Sequence, residues 1–438
     1  MADIERKLAT VRRIAKIDPI EGSDFLCHVT IDGWRLVASK SDGFQVNDLV
    51  LYFEIDSFLP VIPEFEFLRD RCFKSTVHLG DGFRLKTIRL RGAISQGLIM
   101  PLKDFVQNDD NGWFYEDYDP NKTGFQQGAG ELERFAVVEG TDLTEFLGVK
   151  KWEAAPEGPG GSKFGPSQTR GSFPDFLTKT DQERVQNCLG GIRNWIYHAE
   201  PEYFKIEDAE LLAQLDASNE LLKQHPGRYF LSDNDWYEKK VIDNDPATID
   251  ARSKFEVTIK LDGSSMTAYI NDGRFGVCSR NMDLKRVKGN AFWDATVSQR
   301  LIEWLFEDGR NLAVQGELMG PGIQGNKEGL KELTFFLFDI YDIDNKRYFT
   351  PQERLMAMQN ASSFWYRDDI GGPMQHAPVI AHNFDIRTLN LDSVDGFLSY
   401  AEGPSLNAKQ REGVVFKSCL EGGPSFKAIS NTWLLKND

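Results

Sequence analysis

The stretch KFEVTIKLDGSS carries the plainest chemical possibility in the chain. Strand alternation puts Phe255, Val257 and Ile259 on one face and Glu256, Thr258 and Lys260 on the other, so Lys260 points away from the expected core. It stands just before a turn containing Asp262 and Gly263. A lysine amine is a nucleophile only when neutral, and its reference pKa is about 10.4. Neighbouring positive groups or partial desolvation are therefore expected to depress it. Taken alone, the pattern equally describes an exposed lysine ahead of an ordinary Asp-Gly turn. Gly263 can serve a tight turn or the close approach of a nucleotide, Asp262 can orient a hydroxyl or water, and both readings stay open.

The elements that must position such a group are mostly strands. KFEVTIKL, RFGVCSR, NLAVQGEL, LTFFLFDIY, GVVFKS and SFKAIS each place one or two charged residues at or beyond a strand end. A rigid sheet holds such groups at fixed separations. Upstream, HVTIDGWRLVAS, DLVLYFEID and FRLKTIRLRGAISQGLIMPL alternate with period two between Gly and Asp turns, which predicts a small barrel over residues 10–100. Basic residues concentrate at Arg84, Lys86, Arg89 and Arg91, where one strand can present several together, as a nucleic-acid-facing edge or as a solvated face. Residues 92–150 are acidic, with 4 basic against 11 acidic side chains. EAAPEGPGGSKFGPSQTRGSFP reads as a linker, giving residues 1–150 as the barrel domain with an acidic extension, 151–174 as linker and 175–438 as a larger mixed domain. IEDAELLAQLDASNELLKQ, from Ile206, and VSQRLIEWLFED, from Val297, predict helices.

Composition narrows the class. The 438 residues carry a net charge of −16, which argues against a histone-like coat for nucleic acid but not against a local basic channel. No apolar run approaches a membrane span, and MADIERKLATVRR lacks a secretory core, so an intracellular protein without a membrane partner is expected: cytoplasmic by default, with nucleus or organelle as alternatives. The five cysteines are dispersed and show no metal spacing, and reduced thiols are expected. GPGIQGN completes neither a P-loop nor a dinucleotide fingerprint, which argues against a kinase or Rossmann enzyme.

In order along the chain, KLDGSS with Lys260 and Asp262, CSR with Arg280, QGELMGPGIQGN with Glu317, FFLFDIY with Phe338 and Asp339, REGVVFK with Glu412 and Lys417, and SFKAISNTWLLK with Lys427 resemble the motif series of covalent nucleotidyltransferases, specifically ATP-dependent RNA ligases. FPDFLTKTDQERVQN, from Phe173, resembles the segment ahead of the nucleophile in RNA ligases that carry an amino-terminal OB domain, and RLRGAISQGLIMPL resembles the attached domain. The resemblance implies an α+β protein, an OB-like β-barrel followed by a mixed nucleotidyltransferase domain with antiparallel sheets.

The resemblance also implies roles. Lys260 would attack the α-phosphate of ATP and hold AMP as a phosphoramidate, the adenylate would pass to a polynucleotide 5′-phosphate, and a 3′-hydroxyl would displace AMP. Glu317 and Glu412 would hold Mg²⁺ or Mn²⁺, directly or through water. Lys417 and Lys427 would offset phosphate charge, Arg280 would secure the nucleotide or 5′-phosphate, and Phe338, with Asp339 beside it, would pack on adenine. Core packing is the other expectation for Phe338, since its strand is uninterruptedly apolar. The partner implied is RNA or an RNA-containing nicked duplex, with DNA as an alternative strand or template. Two departures stand out: Ile429 follows Lys427 where some relatives alternate a second lysine, and residues 190–250 look inserted. Eleven residues follow Lys427, so no second barrel is expected after the core, as it would be in capping enzymes or DNA ligases. The competing readings are a DNA nick ligase and an inactive nucleic-acid-binding protein.

Overall fold

A computed structural model of the chain describes residues 6–118, 132–152, 167–197, 202–205, 230–231, 235–240, 246–365 and 374–437. In the N-terminal part, LVLYF of Leu49–Phe53 is apolar on both faces and is accordingly sandwiched. Leu51 and Phe53 face one core with Leu8, Val11, Leu59 and Phe83, while Val50 and Tyr52 face a second with Val29, Ile31, Trp34 and Leu36. Ala9–Arg13 and Leu98–Pro101 flank that strand, Lys16–Pro19, Leu26–Ile31 and Trp34–Ser39 form a meander, and Lys150–Lys151, Ser57–Leu59, Gly80–Arg84 and Phe73–Thr76 pair in that order. The expected single basic strand is divided: Arg84 ends one strand, Arg89 lies in Ile88–Leu90, and Arg91 turns left-handed at φ 47° before Ala93–Ser95.

Two sheets, each antiparallel but for one short parallel pair, face each other in the C-terminal part. The larger runs Thr169–Ser172, Met282–Leu284, Arg274–Ser279, Ser264–Asn271, Leu312–Met319, Thr334–Asp342 and Arg347–Tyr348, with Gln375–His376 pairing beside Thr334–Asp342. The smaller runs Glu183–Arg184, Ser425–Ile429, Gly413–Ser418, Lys254–Lys260 and Val379–Asp385. Thr169–Ser172, expected in the linker, is thus an edge strand. The predicted helix from Val297 is two helices, Ala291–Ser298 and Leu301–Asp308, broken where Arg300 takes φ 53°. The break turns Gln299 so that its side-chain carbonyl accepts the Phe335 N–H at 2.6 Å.

Within the expected insertion, Ile192 and Ile196 of helix Val185–Tyr197 are buried in the core of the smaller sheet, so the helix is part of that core. Glu202–Lys205, Asp235–Lys240 and Phe230–Leu231 form a small separate sheet. The helix predicted from Ile206 lies outside the described residues. Ile429 explains its own departure from the expected lysine: with Leu434 of the C-terminal helix Asn431–Asn437, it is buried in the second barrel core and docks the barrel on the catalytic sheet. The five cysteines are free. Among the described residues no helix is long and apolar enough to cross a membrane.

Candidate active site

Strand Lys254–Lys260 is interior to its sheet, paired on both edges, and its second face meets the larger sheet instead of solvent. Glu256 and Thr258, expected on an outward face, are both buried. Lys260 ends the strand at the mouth of a cleft of about 120 Å³ lined by Thr180, Asp181, Ser265, Arg280, Glu317, Phe338, Lys417 and Lys427 among others. Its Nζ donates to Glu412 Oε2 at 2.8 Å. Glu317 arrives from the facing sheet, and its Oε1 accepts the Gly263 N–H at 2.9 Å. Gly263 is required by this closeness: a Cβ there would lie 2.4 Å from the Leu318 carbonyl oxygen and 3.0 Å from Glu317 Cγ. The turn therefore closes onto the neighbouring strand.

The electrostatics reverse the expectation for the nucleophile. Burial pulls the Lys260 ammonium down, but Glu412, Glu317 and Asp262 outweigh it and the net shift is upward. The carboxylates respond in kind. Burial pushes Glu317 up to about 7 against the opposing pull of Lys260 and the Gly263 N–H, with Glu412 and Asp262 adding to the rise. Glu412 is also raised, chiefly by burial. This cluster is short of positive charge, and its hard oxygen donors suit a divalent cation. Among the described residues no three acidic, His or Cys side chains converge as a complete protein ligand set. An ion held here would complete its shell with water and phosphate oxygens, as Mg²⁺ commonly does.

The other expected residues line the cleft or lie beside it. Lys417 lies opposite Glu256 and Gly413 opposite Lys260, an offset of four residues, or about 13 Å along the strand. Lys417 thus stands beside Phe338, at the other end of the strand pair from Lys260. Its Nζ donates to the Phe338 carbonyl at 2.6 Å and to Asp339 Oδ1 at 2.5 Å, 5.3 Å from the Phe338 ring centre. Burial lowers it to about 8, with Asp339 opposing. Phe338 is half-buried and lines the cleft, while its neighbours Phe335, Phe336 and Leu337 supply the core, so the ring is available to a ligand. Arg280 and Lys427 converge on Asp181, at 3.1 and 3.4 Å. Asp262 pairs with Lys327 at 2.5 Å.

Several of these partners were not singled out from sequence. Asp181 belongs to TKTDQERVQN, whose resemblance to the pre-nucleophile segment was the available signal. Arg184 of the same segment pairs in register with Lys427 and bonds Asp56 of the barrel at 2.9 Å. Lys327 reaches Asp262 from a Gly-rich loop that no local pattern connects to it, and lies 4.8 Å over the Trp433 ring. Buried Arg354 bonds Glu256, and its Nε donates to His376 Nε2 at 3.0 Å, beneath the Phe338 end.

Burial, with the positive charges of Lys260, Arg184 and Arg6, lowers Lys427 to about 8 against the pull of Asp181. As pH rises through 8 its ammonium is lost, so the affinity of the empty protein for a metal-free triphosphate should fall. A titration from pH 7 to pH 9 checks this. Lys427→Arg, whose guanidinium stays charged, should flatten the dependence; an unchanged profile would assign it to another group.

The fold and site together define a two-sheet nucleotidyltransferase cleft with an OB barrel docked beside it. An OB-fold domain profile matches residues 8–102, and the RNA ligase family profile matches residues 253–429. Among solved structures, a Naegleria gruberi RNA ligase mutant with AMP and Mn is 34% identical, with 99% of each chain covered and a TM-score of 0.69. A mutant of the same ligase with ATP and Mn is 33% identical over 98% of this chain and 99% of that one, again at 0.69. The same ligase with PPi is 33% identical over 99% of each, at 0.68. Comparison with curated protein sequences gives no match. The chain belongs to the RNA ligase family, in the group with an N-terminal OB-fold domain, and is an enzyme.

Proposed function

We propose that the protein is an ATP-dependent RNA ligase that works through a lysyl-adenylate on Lys260 and seals a 5′-phosphate to a 3′-hydroxyl, at nicks whose 3′-hydroxyl strand ends in RNA. The observation that carries the reading is the position of the Lys260 amine. It stands in a cleft lined by the Phe338 ring and by the cations Arg280, Lys417 and Lys427, with two half-buried carboxylates from facing sheets beside it. The related ligase in complexes with ATP and Mn, AMP and Mn, and PPi supports the same chemistry.

In the first step the Lys260 amine forms an N–P bond to the α-phosphorus as the bond to pyrophosphate breaks, and the ammonium proton must leave before attack. Glu412 holds that ammonium at 2.8 Å and orients it. Phe338 packs on the base, and Lys417, fixed by Asp339, offers its remaining N–H beside it. Arg280 and Lys427 offset phosphate charge once they exchange Asp181 for the ligand. Glu317 and Glu412, with Asp262 nearby, would hold the divalent ion, Mg²⁺ or Mn²⁺, which supplies neutralisation of phosphate oxygens and of the carboxylates that keep Lys260 charged. The AMP then moves to the RNA 5′-phosphate, and the 3′-hydroxyl displaces it to form the phosphodiester. Since ATP and RNA meet inside cells, an intracellular place of action belongs to the same proposal.

Incubation with α-labelled ATP and Mg²⁺ should leave label on the protein, and a nicked RNA duplex should discharge it as joined product. No label on folded wild-type protein would overturn the enzyme mechanism. Matched nicks ending in RNA or DNA at the 3′-hydroxyl test the substrate, with faster joining expected for RNA. Equal joining would remove the sugar preference and favour a nick ligase that accepts DNA.

A further inference from the structure

The chain is acidic as a whole, yet residues 69–91 carry seven basic side chains against two acidic ones. The fold gathers part of this excess on one face of the barrel sheet nearest the cleft. Lys150 lies opposite Phe58, Phe58 opposite Arg84, and Lys74 opposite Gly82, which shares the face of Arg84 two residues on. The reverse face of the same strands carries Leu59, Phe83 and Phe73 into the barrel core, so the Lys74, Arg84 and Lys150 face is the outer one. Its centre is aromatic, with Phe58 buried and Trp152 half-buried. The Trp152 and Phe58 rings lie 5.5 Å apart, and the Arg84 guanidinium sits 4.9 Å from the Trp152 ring centre. Gly82 makes room for Phe58, because a Cβ there would lie 2.6 Å from the ring.

The strand that carries this face adjoins the catalytic mouth. The Trp152 N–H donates to the Asp56 carbonyl at 2.6 Å, and the Asp56 carboxylate is held by Arg184, the strand partner of Lys427. Lys151, beside Lys150, acts with Lys427 and Arg280 on Asp181. A stacking ring braced by an arginine and flanked by exposed lysines is the usual composition of a surface for unpaired nucleotides. We propose that this outer face, with Trp152, Arg84, Lys74 and Lys150, binds RNA that runs on, unpaired, beyond the nicked duplex. A base stacks on Trp152 and the lysines meet phosphates. The inference rests on the RNA-ligase reading and adds the surface that carries the strand away from the cleft.

The test uses the full chain and a single-stranded RNA 20-mer, with binding measured across a salt series. Trp152→Ala should raise Kd about tenfold. Lys74→Ala with Lys150→Ala should weaken binding and lower the slope of log K against log salt by about one for each phosphate no longer neutralised. Arg274→Ala, at the exposed start of strand Arg274–Ser279 in the larger sheet, should leave Kd unchanged. Wild-type Kd and salt slope in both the Trp152 and the double-lysine variants, or no measurable RNA binding by the wild type, would overturn the proposal. If Trp152→Ala fails to fold, the double-lysine variant decides. Adenylate formation by the wild type without RNA is scored separately. Its failure alongside normal RNA binding through this face overturns the ligase reading alone, and its success with unaffected variants overturns this surface alone.

Discussion

Lys260→Ala protein, given α-labelled ATP and Mg²⁺, is expected to retain no label, a loss on the order of 10⁴-fold or more, because the atom that forms the bond to phosphorus is gone. Measurable adenylate on the variant would place the nucleophile elsewhere. The same change has a consequence for stability. Without the ammonium, Glu412 and Glu317 remain half-buried with Asp262 nearby and lose the cation that opposes their rise. Their folded pKa values then climb further above the unfolded ones. A carboxyl raised on folding binds more protons in the native state, so stability falls as pH rises from the unfolded carboxyl range through the folded values. Thermal melting of the variant should therefore fall further below wild type at pH 8 than at pH 5. A difference independent of pH would show that the carboxylates do not feel the lysine.

Glu412→Gln keeps the shape of the side chain and removes its charge. Glu412 is the largest influence raising the Lys260 ammonium, so the variant should release the lysine proton at lower pH. It should nonetheless form adenylate on the order of 10²-fold more slowly at neutral pH, because a donor for the divalent cation and the group orienting the amine are both lost. Two readouts separate these effects. The alkaline-going limb of the pH–rate profile should shift toward lower pH, and the Mn²⁺ concentration giving half-maximal rate should rise. A slower rate with neither change would assign Glu412 a structural role only.

The catalytic candidates were recognisable because each sits on or immediately beside a strand whose register is local. Period-two alternation determines which side chains share a face, and the ordered series from Lys260 to Lys427 tied those faces to one chemistry. Phe338 shows the limit. Its apolar strand predicts burial throughout, and only the facing sheet decides that Phe335, Phe336 and Leu337 fill the core while the ring of Phe338 lines the cleft. Ile429 shows another limit, since a missing lysine is intelligible only once the barrel is seen to need an apolar side chain there.

By itself, then, the amino-acid order determined the barrel followed by a mixed domain, the strand that presents Lys260, and the carboxylates and cations that accompany it. Tertiary structure decided the sign of the shift at Lys260, the placing of Lys417 beside Phe338, the meeting of Arg280 and Lys427 at Asp181, and the outer face formed by Lys74, Arg84, Lys150 and Trp152. The physical reason is range. Alternation and turn chemistry act between near neighbours, whereas charge balance in a buried cleft is the sum over groups brought together from strands hundreds of residues apart, and no segment carries that sum alone.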